Sequence, residues 1–276
     1  MTRTVLIPSS LTRETENMRM ATLKIGYIAR AAAIFNIDRI CVFPDPPGEG
    51  DLGMEFISTV LGYAVTPPYL RKEIWGQRPE LAYAGVLPPL RILPQAGSGS
   101  EDSESLRQGI VTQVGPDNRV WVICGLQSPI SLTIPPNMDV VDGQRVSVRV
   151  SSEKPVRARL LTDSPSRILV ETIDLESALQ RNDAGIRIAT SRHGNLLQNK
   201  NLIGLINRVN REGMTVAFGA PGRGLPTILG SSPKEILEPH TRGSKFDCWL
   251  NTIPNQSSET VRTEEAMIAS LALLSL

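Results

Sequence analysis

Apolar residues recur along this chain with more than one period, and each period predicts a different element. The run at residues 4–7 reads as a short buried strand. Met18, Ala21, Ile25, Ile28, Ala32 and Phe35 then recur at three and four, which predicts an amphipathic helix over about residues 15–35. Arg39 to Phe43 gives a second strand, ended by Pro44-Asp45-Pro46-Pro47-Gly48, and a helical pattern follows around Leu52 to Tyr63. This strand-helix-strand-helix order predicts an α/β fold with a parallel sheet covered by helices.

The pattern changes after Pro88-Pro89. Gln95 to Ser105 is polar and rich in Gly, Ser and acids, which reads as a mobile loop. Beyond it, short alternating or β-branched runs fall at Gly109 to Val114, Arg119 to Cys124, Ile130 to Ile134, Arg145 to Val150 and Val156 to Leu161. Five such runs punctuated by turns predict a small β-barrel of the oligonucleotide-binding (OB-like) kind. The α/β pattern resumes with helices near Leu175 to Asn182 and Asn199 to Val209. It continues with strands at Ile186 to Ala189, Met214 to Phe218 and Asp247 to Leu250, and a final helix reaches about Leu274. The expected organisation is one α/β domain made from residues 1–92 and 169–276, with the barrel inserted at residues 93–168.

Composition narrows the function classes. With 276 residues, 41% of them hydrophobic, the chain can bury a substantial core, so disorder is not expected. The formal charge of +1 means that any nucleic-acid surface must be a local patch. From Arg107 to Arg167 the insert carries eight Arg or Lys against five acids, a mildly basic balance that a solvated face would also show. Cys41, Cys124 and Cys248 lie far apart in strand-like contexts and read as buried small hydrophobes in a reducing compartment. With only His193 and His240 there is no zinc-ligand spacing and no Ser-His-Asp set, so no metal is expected. Val5-Leu6-Ile7 is too short for a signal-peptide core and the apolar tail from Ala266 too short to span a bilayer, which points to a soluble, cytoplasmic protein away from membranes.

Candidate chemistry concentrates in the last quarter. Gly219, Gly222 and Gly224 punctuate a loop after one strand, and Asn251-Thr252-Ile253-Pro254-Asn255-Gln256 follows another. Glycines there allow tight turns and close approach of a flat ligand to the main chain, although two ordinary turns would look similar. The first loop lacks the Gly-Lys-Ser/Thr ending of a phosphate-binding loop and does not fit Gly-x-Gly-x-x-Gly, so ATP or NAD chemistry is disfavoured.

Three segments in order carry a family resemblance. Ile28-Ala29-Arg30-Ala31-Ala32-Ala33-Ile34-Phe35-Asn36-Ile37 resembles the first motif of the SPOUT methyltransferases, Phe218 to Pro226 their second, and Asn251 to Ala266 their third. Leu6 to Leu11, Tyr69-Leu70-Arg71, Gly85 to Arg91 and Thr260 to Ala266 resemble the archaeal and eukaryotic branch with an inserted β-barrel. The resemblance implies a C-terminal trefoil knot, which periodicity could not reveal and ordinary connection rules disfavour. It also implies S-adenosylmethionine bound among the knot loops, and a homodimer in which the helix carrying Arg30 and the final helix bury further surface.

Carried over by position, the resemblance assigns cofactor contacts to Thr190, Ser191, Arg192, Gly219, Arg223, Gly224, Leu225, Asn251, Ile253, Pro254, Thr260 and Val261, mostly through backbone atoms. Arg30 matches an arginine beside the acceptor, where it would stabilise a developing anion or a phosphate; otherwise it is an exposed helix arginine. Arg262 stands where ribose methylases carry Asn, so an acceptor that must lose a proton, such as uridine N3–H, is implied beside ribose 2′-O. Its rival role is pairing with Glu265 or Glu259 on the same helix. Ser257 replaces an expected Gly and would be strained if the loop needs positive φ there.

Arg13, Arg71, Lys72, Arg91, Arg187, Arg192, Arg242 and Lys245 are candidate phosphate contacts for an RNA partner, ribosomal RNA or tRNA, while Trp121 and Tyr69 could stack on bases. Aromatic content of 4% favours structured RNA over a single-strand stacking platform. The expected activity is methyl transfer to a nucleotide of structured RNA. The alternative from another class is an RNA-binding ribosome assembly factor that keeps the fold without turnover.

Overall fold

The computed structural model describes residues 1–90, 105–162, 168–196, 199–230 and 246–276. The chain divides into two compact units, residues 1–65, 79–90 and 167–276 in one and residues 66–78 and 91–166 in the other.

The first unit opens with β1 (Arg3–Pro8), α1 (Met18–Ile34), β2 (Arg39–Phe43) and α2 (Met54–Val65). Asn17 starts α1 by accepting the Met20 N–H, which places the helix boundary three residues past the periodicity-based start. The second unit holds α3 (Pro68–Trp75), β3 (Ser105–Val114), β4 (Arg119–Ile123), β5 (Ile130–Thr133), β6 (Arg145–Glu153) and β7 (Val156–Leu161). The chain then returns to the first unit with β8 (Leu169–Thr172), α4 (Leu175–Leu179), β9 (Ile186–Leu196) and α5 (Asn199–Glu212). It finishes with β10 (Met214–Ala217), α6 (Leu225–Leu229), β11 (Cys248–Asn251) and α7 (Thr263–Leu274).

The expected parallel sheet is present, with six strands in the order β11-β9-β10-β1-β2-β8 and every neighbouring pair parallel. Val5, Leu6, Ile7, Ile40, Cys41, Val42, Ile188, Ala189, Val216 and Ala217 are all buried, as strands covered on both faces require. The five strands of the second unit form an antiparallel sheet in the order β5-β4-β3-β6-β7 whose end strands approach one another, a nearly closed barrel. Its core includes Val111, Val120, Val122, Val146, Val148, Val150 and Leu160.

Three short elements escape a periodicity reading. In α3 only Leu70 is buried, so no apolar stripe marks it; β8 and α6 have four and five residues. Helix α3 belongs to the barrel unit, where the Tyr69 hydroxyl donates to the Gln108 carbonyl and its ring lies where a Cβ on Gly125 would be. Tyr69 thereby fastens α3 to the barrel. Of the polar stretch Gln95 to Ser105, expected to be a mobile loop, residues 95–104 lie outside the described residues and Ser105 opens β3.

Strand β9 departs from a simple strand in a way that shapes the molecule. Trp249 of β11 pairs with Ala189, whereas the next residue, Leu250, pairs with Asn195. Residues 190–194 therefore leave the ladder as an excursion. A Cβ on Gly194 would sit 2.4 Å from the Leu250 carbonyl carbon, so the excursion can rejoin β11 only with glycine there.

Helices α1 and α7 share a buried charge cluster. Lys24, 5% exposed, pairs with Glu14 and lies 3.6 Å from Glu264 Oε2. Burial pushes the Glu264 carboxyl above the usual glutamate range, outweighing the opposing pull of Lys24. A carboxyl raised in the folded state weakens the fold once pH passes its unfolded value, because the unfolded chain gives up the proton more readily. Glu264→Gln is expected to melt higher than the parent at neutral pH, with the gain vanishing below about pH 4. Thermal unfolding across that range checks the sign.

Candidate active site

A parallel sheet sends its β-to-α connections out of one edge, and ligands of open α/β sheets bind in crevices there. At that edge the excursion of β9, the glycine loop after β10 and the loop after β11 enclose a cavity of about 670 Å³. That volume falls within the range of about 300–1,000 Å³ for small-molecule sites.

The walls are tied to one another by hydrogen bonds. Thr190, 9% exposed, donates its hydroxyl to the Ala217 carbonyl at 2.8 Å, fixing the start of the β9 excursion against β10. The Asn251 amide donates to the Arg192 carbonyl at 3.0 Å, and its oxygen accepts the Ile253 N–H. Thr263, the first residue of α7, donates its hydroxyl to the Gly219 carbonyl at 2.9 Å. Arg192 reaches across the mouth to the Glu259 carbonyl at 3.3 Å, and its Nε donates to His193 Nε2.

The glycine loop is held from outside by a residue that sequence patterning does not single out. Asp45, in the loop after β2, has a side chain 1% exposed and accepts from Arg223 in bidentate fashion, Nε to Oδ2 at 2.8 Å and Nη2 to Oδ1 at 2.9 Å. The Asp45 N–H in turn donates to the Ser9 hydroxyl at 2.7 Å. Asp45 raises the Arg223 guanidinium further above its ordinary range. Arg223 therefore lines the cavity while its charge is spent on holding the loop. Pro-Asp-Pro-Pro-Gly reads locally as a strand terminator, and nothing in it names a partner 178 positions away.

The three loop glycines separate by role. Gly222 uses a left-handed φ of 67°. A Cβ on Gly219 would lie 2.9 Å from Gly224 Cα and 3.0 Å from the Arg223 carbonyl, so the loop closes on itself at Gly219. At Gly224 a Cβ would meet only Pro226, at an ordinary 3.5 Å.

Of the twelve expected cofactor contacts, Thr190, Ser191, Arg192, Gly219, Arg223, Gly224, Asn251, Ile253, Thr260 and Val261 line the cavity. Leu225 is fully buried in the core beneath the loop, and Pro254 is exposed outside it. His193, Phe218, Gln256, Glu259 and Thr263 line the cavity as well; a lone histidine in a strand carried no motif that could have marked it. Ser257 does not have positive φ, and the left-handed residue of this loop is Asn255 at 56°, so Ser257 carries no such strain.

Arg30 and Arg262 are not among the lining residues of this single chain. Arg30 Nη1 donates to the Pro89 carbonyl. Arg262 is the residue before α7, exposed, and its backbone N–H donates to Glu265 Oε2 at 2.9 Å. Glu259 precedes the helix rather than lying on it. Among the described residues no carboxylate lies within ion-pair distance of the Arg262 guanidinium.

The phosphate candidates fall in both units. Arg13 is exposed in the turn after β1. Arg187, at the start of β9, is locked to Asp247 through Nε at 2.9 Å and Nη2 at 2.8 Å, a pair that an RNA phosphate would have to displace. In the barrel unit Arg71 Nε donates to the Thr66 carbonyl and Lys72 is exposed. Arg91, Arg242 and Lys245 lie outside the described residues. Among the described residues no group of three or more His, Cys, Asp or Glu could hold a metal, and no helix is long and apolar enough to cross a membrane.

Comparison with known proteins adds the chemistry. The sequence model of the family described as "Putative RNA methyltransferase" matches residues 2–274. An uncharacterized protein of Halobacterium salinarum is 58% identical over 281 residues, spanning 100% of this chain and 99% of that protein. The 28S rRNA (uridine-N(3))-methyltransferase of Homo sapiens is 29% identical over 307 residues, covering 99% of this chain and 77% of the human protein. The enzyme of the same name from Mus musculus is 28% identical, with 99% and 76% covered.

Removing the Asp45 carboxylate leaves Arg223 partly buried without its partner. Asp45→Ala is expected to cost about 3 kcal/mol in denaturant unfolding, and Asp45→Asn less, since it keeps one acceptor for the guanidinium.

Proposed function

Because this chain belongs to the RNA methyltransferase family and is a methyltransferase enzyme, we propose that it uses S-adenosylmethionine to methylate N3 of a uridine in ribosomal RNA. The observation that carries the reading is the coincidence of ten expected cofactor residues on the wall of one cavity at the C-terminal edge of the sheet. The uridine and the ribosomal RNA are carried by the names of the human and mouse relatives.

The residues present fit an adenosyl ligand. The Gly219 to Gly224 loop has no room for a Cβ at Gly219, Ile253 and Val261 supply apolar wall for a flat base, and Asn251 and Thr190 brace the loops without occupying the space between them. Bound there, the cofactor supplies an electrophilic methyl group on sulfur. The chain's own work is to align the acceptor and to favour loss of its proton. In this reading Arg262, with no carboxylate at ion-pair distance among the described residues, stabilises a uridine anion and so lowers the cost of removing the N3 proton. Arg30 is the second cation assigned to the acceptor, to the anion or to its adjoining phosphate.

The reading further comprises a SPOUT-type body with a C-terminal trefoil knot, an OB-like insert, and a homodimer working in the cytoplasm without a metal. Support for the dimer is apolar exposure on packed helices: Met20, Tyr27 and Ile34 on α1 are 39%, 44% and 58% exposed, and Ile268 on α7 is 43% exposed. A second copy covering these faces would bring its own Arg30 and Arg262 with it.

Calorimetric titration is expected to show one S-adenosylmethionine per subunit, with S-adenosylhomocysteine competing and ATP inert. Gly219→Ala should abolish that binding while Gly224→Ala retains it; equal affinities would contradict the assigned pocket. On ribosomal RNA lacking the modification, Arg262→Ala is expected to lose about 10²-fold in turnover with an unchanged melting temperature. Nucleoside mass spectrometry should find 3-methyluridine; methylated ribose in its place would overturn the assigned atom, and no transfer at all would favour the assembly factor.

A further inference from the structure

The hairpin formed by β6 and β7 carries a charge pattern that the barrel's packing does not require. Between Arg145 and Leu161 the chain has Arg145, Arg149, Lys154, Arg157 and Arg159 against one acid, Glu153, and Arg107 is ion-paired with that acid. Alternation along the strands separates two faces. Val148, Val150 and Leu160 point into the barrel core, while Arg157 and Arg159 are exposed and Arg149 is half-buried on the other face.

The register brings these arginines together. Arg149 lies directly across from Arg159, and Arg157 is across from Ser152, beyond a bulge that falls between Val150 and Ser152. Bulges recur where a strand is re-aimed for function. Arg149, Ser151, Val156, Arg157, Ala158 and Arg159 together line a groove of about 400 Å³. Among the described residues no carboxylate lies within ion-pair distance of Arg157 or Arg159.

We propose that this arginine-lined groove on the β6–β7 hairpin is a binding surface for the phosphate backbone of structured RNA. The inference rests on the RNA-substrate reading and extends it to a second surface. Guanidinium groups bind phosphate through paired N–H donors, and neighbouring phosphates on one strand present anions in a row that matches residues two apart on a strand. Half of the residues lining the groove are arginine and none is aromatic, so it reads charge and shape and leaves sequence to other parts of the protein. A mobile charged fringe that merely keeps an edge strand from aggregating would place the same residues there, and the salt dependence of binding separates the two.

The test uses the full chain and a labelled mixed-sequence RNA hairpin, with affinity measured across a salt series. The double substitution Arg157→Gln/Arg159→Gln is expected to weaken binding to hairpins of unrelated sequence alike and to lower the log–log salt slope by about two, one for each lost phosphate contact. Arg157→Lys/Arg159→Lys should keep most of the slope, because the charges remain. Unchanged affinity and slope in the Gln variant, with the parent binding RNA normally, would overturn the groove and leave the substrate reading intact. Failure of the parent protein to bind any hairpin would overturn both. Unaltered thermal unfolding and S-adenosylmethionine binding in the variant exclude misfolding as the cause of a loss.

Discussion

Six strands that all run one way leave only one edge at which loops from distant parts of the chain can meet, and the candidate site is built entirely on that constraint. The ends of β9, β10 and β11 supply the walls, and the ends of β1 and β2 supply the brace through Ser9 and Asp45. No single loop forms the cavity. Each wall depends on a hydrogen bond from a neighbour: Thr190 to Ala217, Asn251 to Arg192, Thr263 to Gly219. The site is therefore only as rigid as the sheet edge that aligns these partners.

The glycine loop illustrates how a site can be fastened without spending its interior. Arg223 faces the cavity, yet its guanidinium is turned to a buried carboxylate behind the loop. The wall is thus stiffened by a charged pair that lies behind it and leaves the cavity open. At the mouth Arg192 ties the β9 excursion to the Glu259 main-chain carbonyl. By contrast Arg262, the residue before α7, has its backbone N–H bound by Glu265, and among the described residues no carboxylate lies within ion-pair distance of its guanidinium.

Basic residues in this chain divide along the same line. Arg39, Arg181, Arg187 and Arg223 are consumed by Asp and Glu within the α/β unit and contribute to its integrity. Arg157 and Arg159 on the barrel hairpin have no such partners among the described residues. A near-zero net charge conceals this separation, because it sums structural pairs and open surface alike.

Much of this protein was written locally. The strand Arg39–Phe43, the five barrel strands, the parallel α/β order and the two cavity-lining loops follow from apolar period and from glycine and proline placement, because those signals act over a few residues. Ordered motifs, which carry spacing but not contact, had grouped Thr190, Gly219, Asn251 and Val261, and these four line one cavity. What the tertiary structure alone decided is of another kind. The register jump that leaves residues 190–194 of β9 unpaired with β11, the Asp45 carboxylate behind Arg223, the placement of Leu225 in the core and the facing of Arg149 and Arg159 all join residues through the assembled sheets. A pair 178 positions apart leaves no periodic trace, since its energy exists only once the strands between them have been laid side by side.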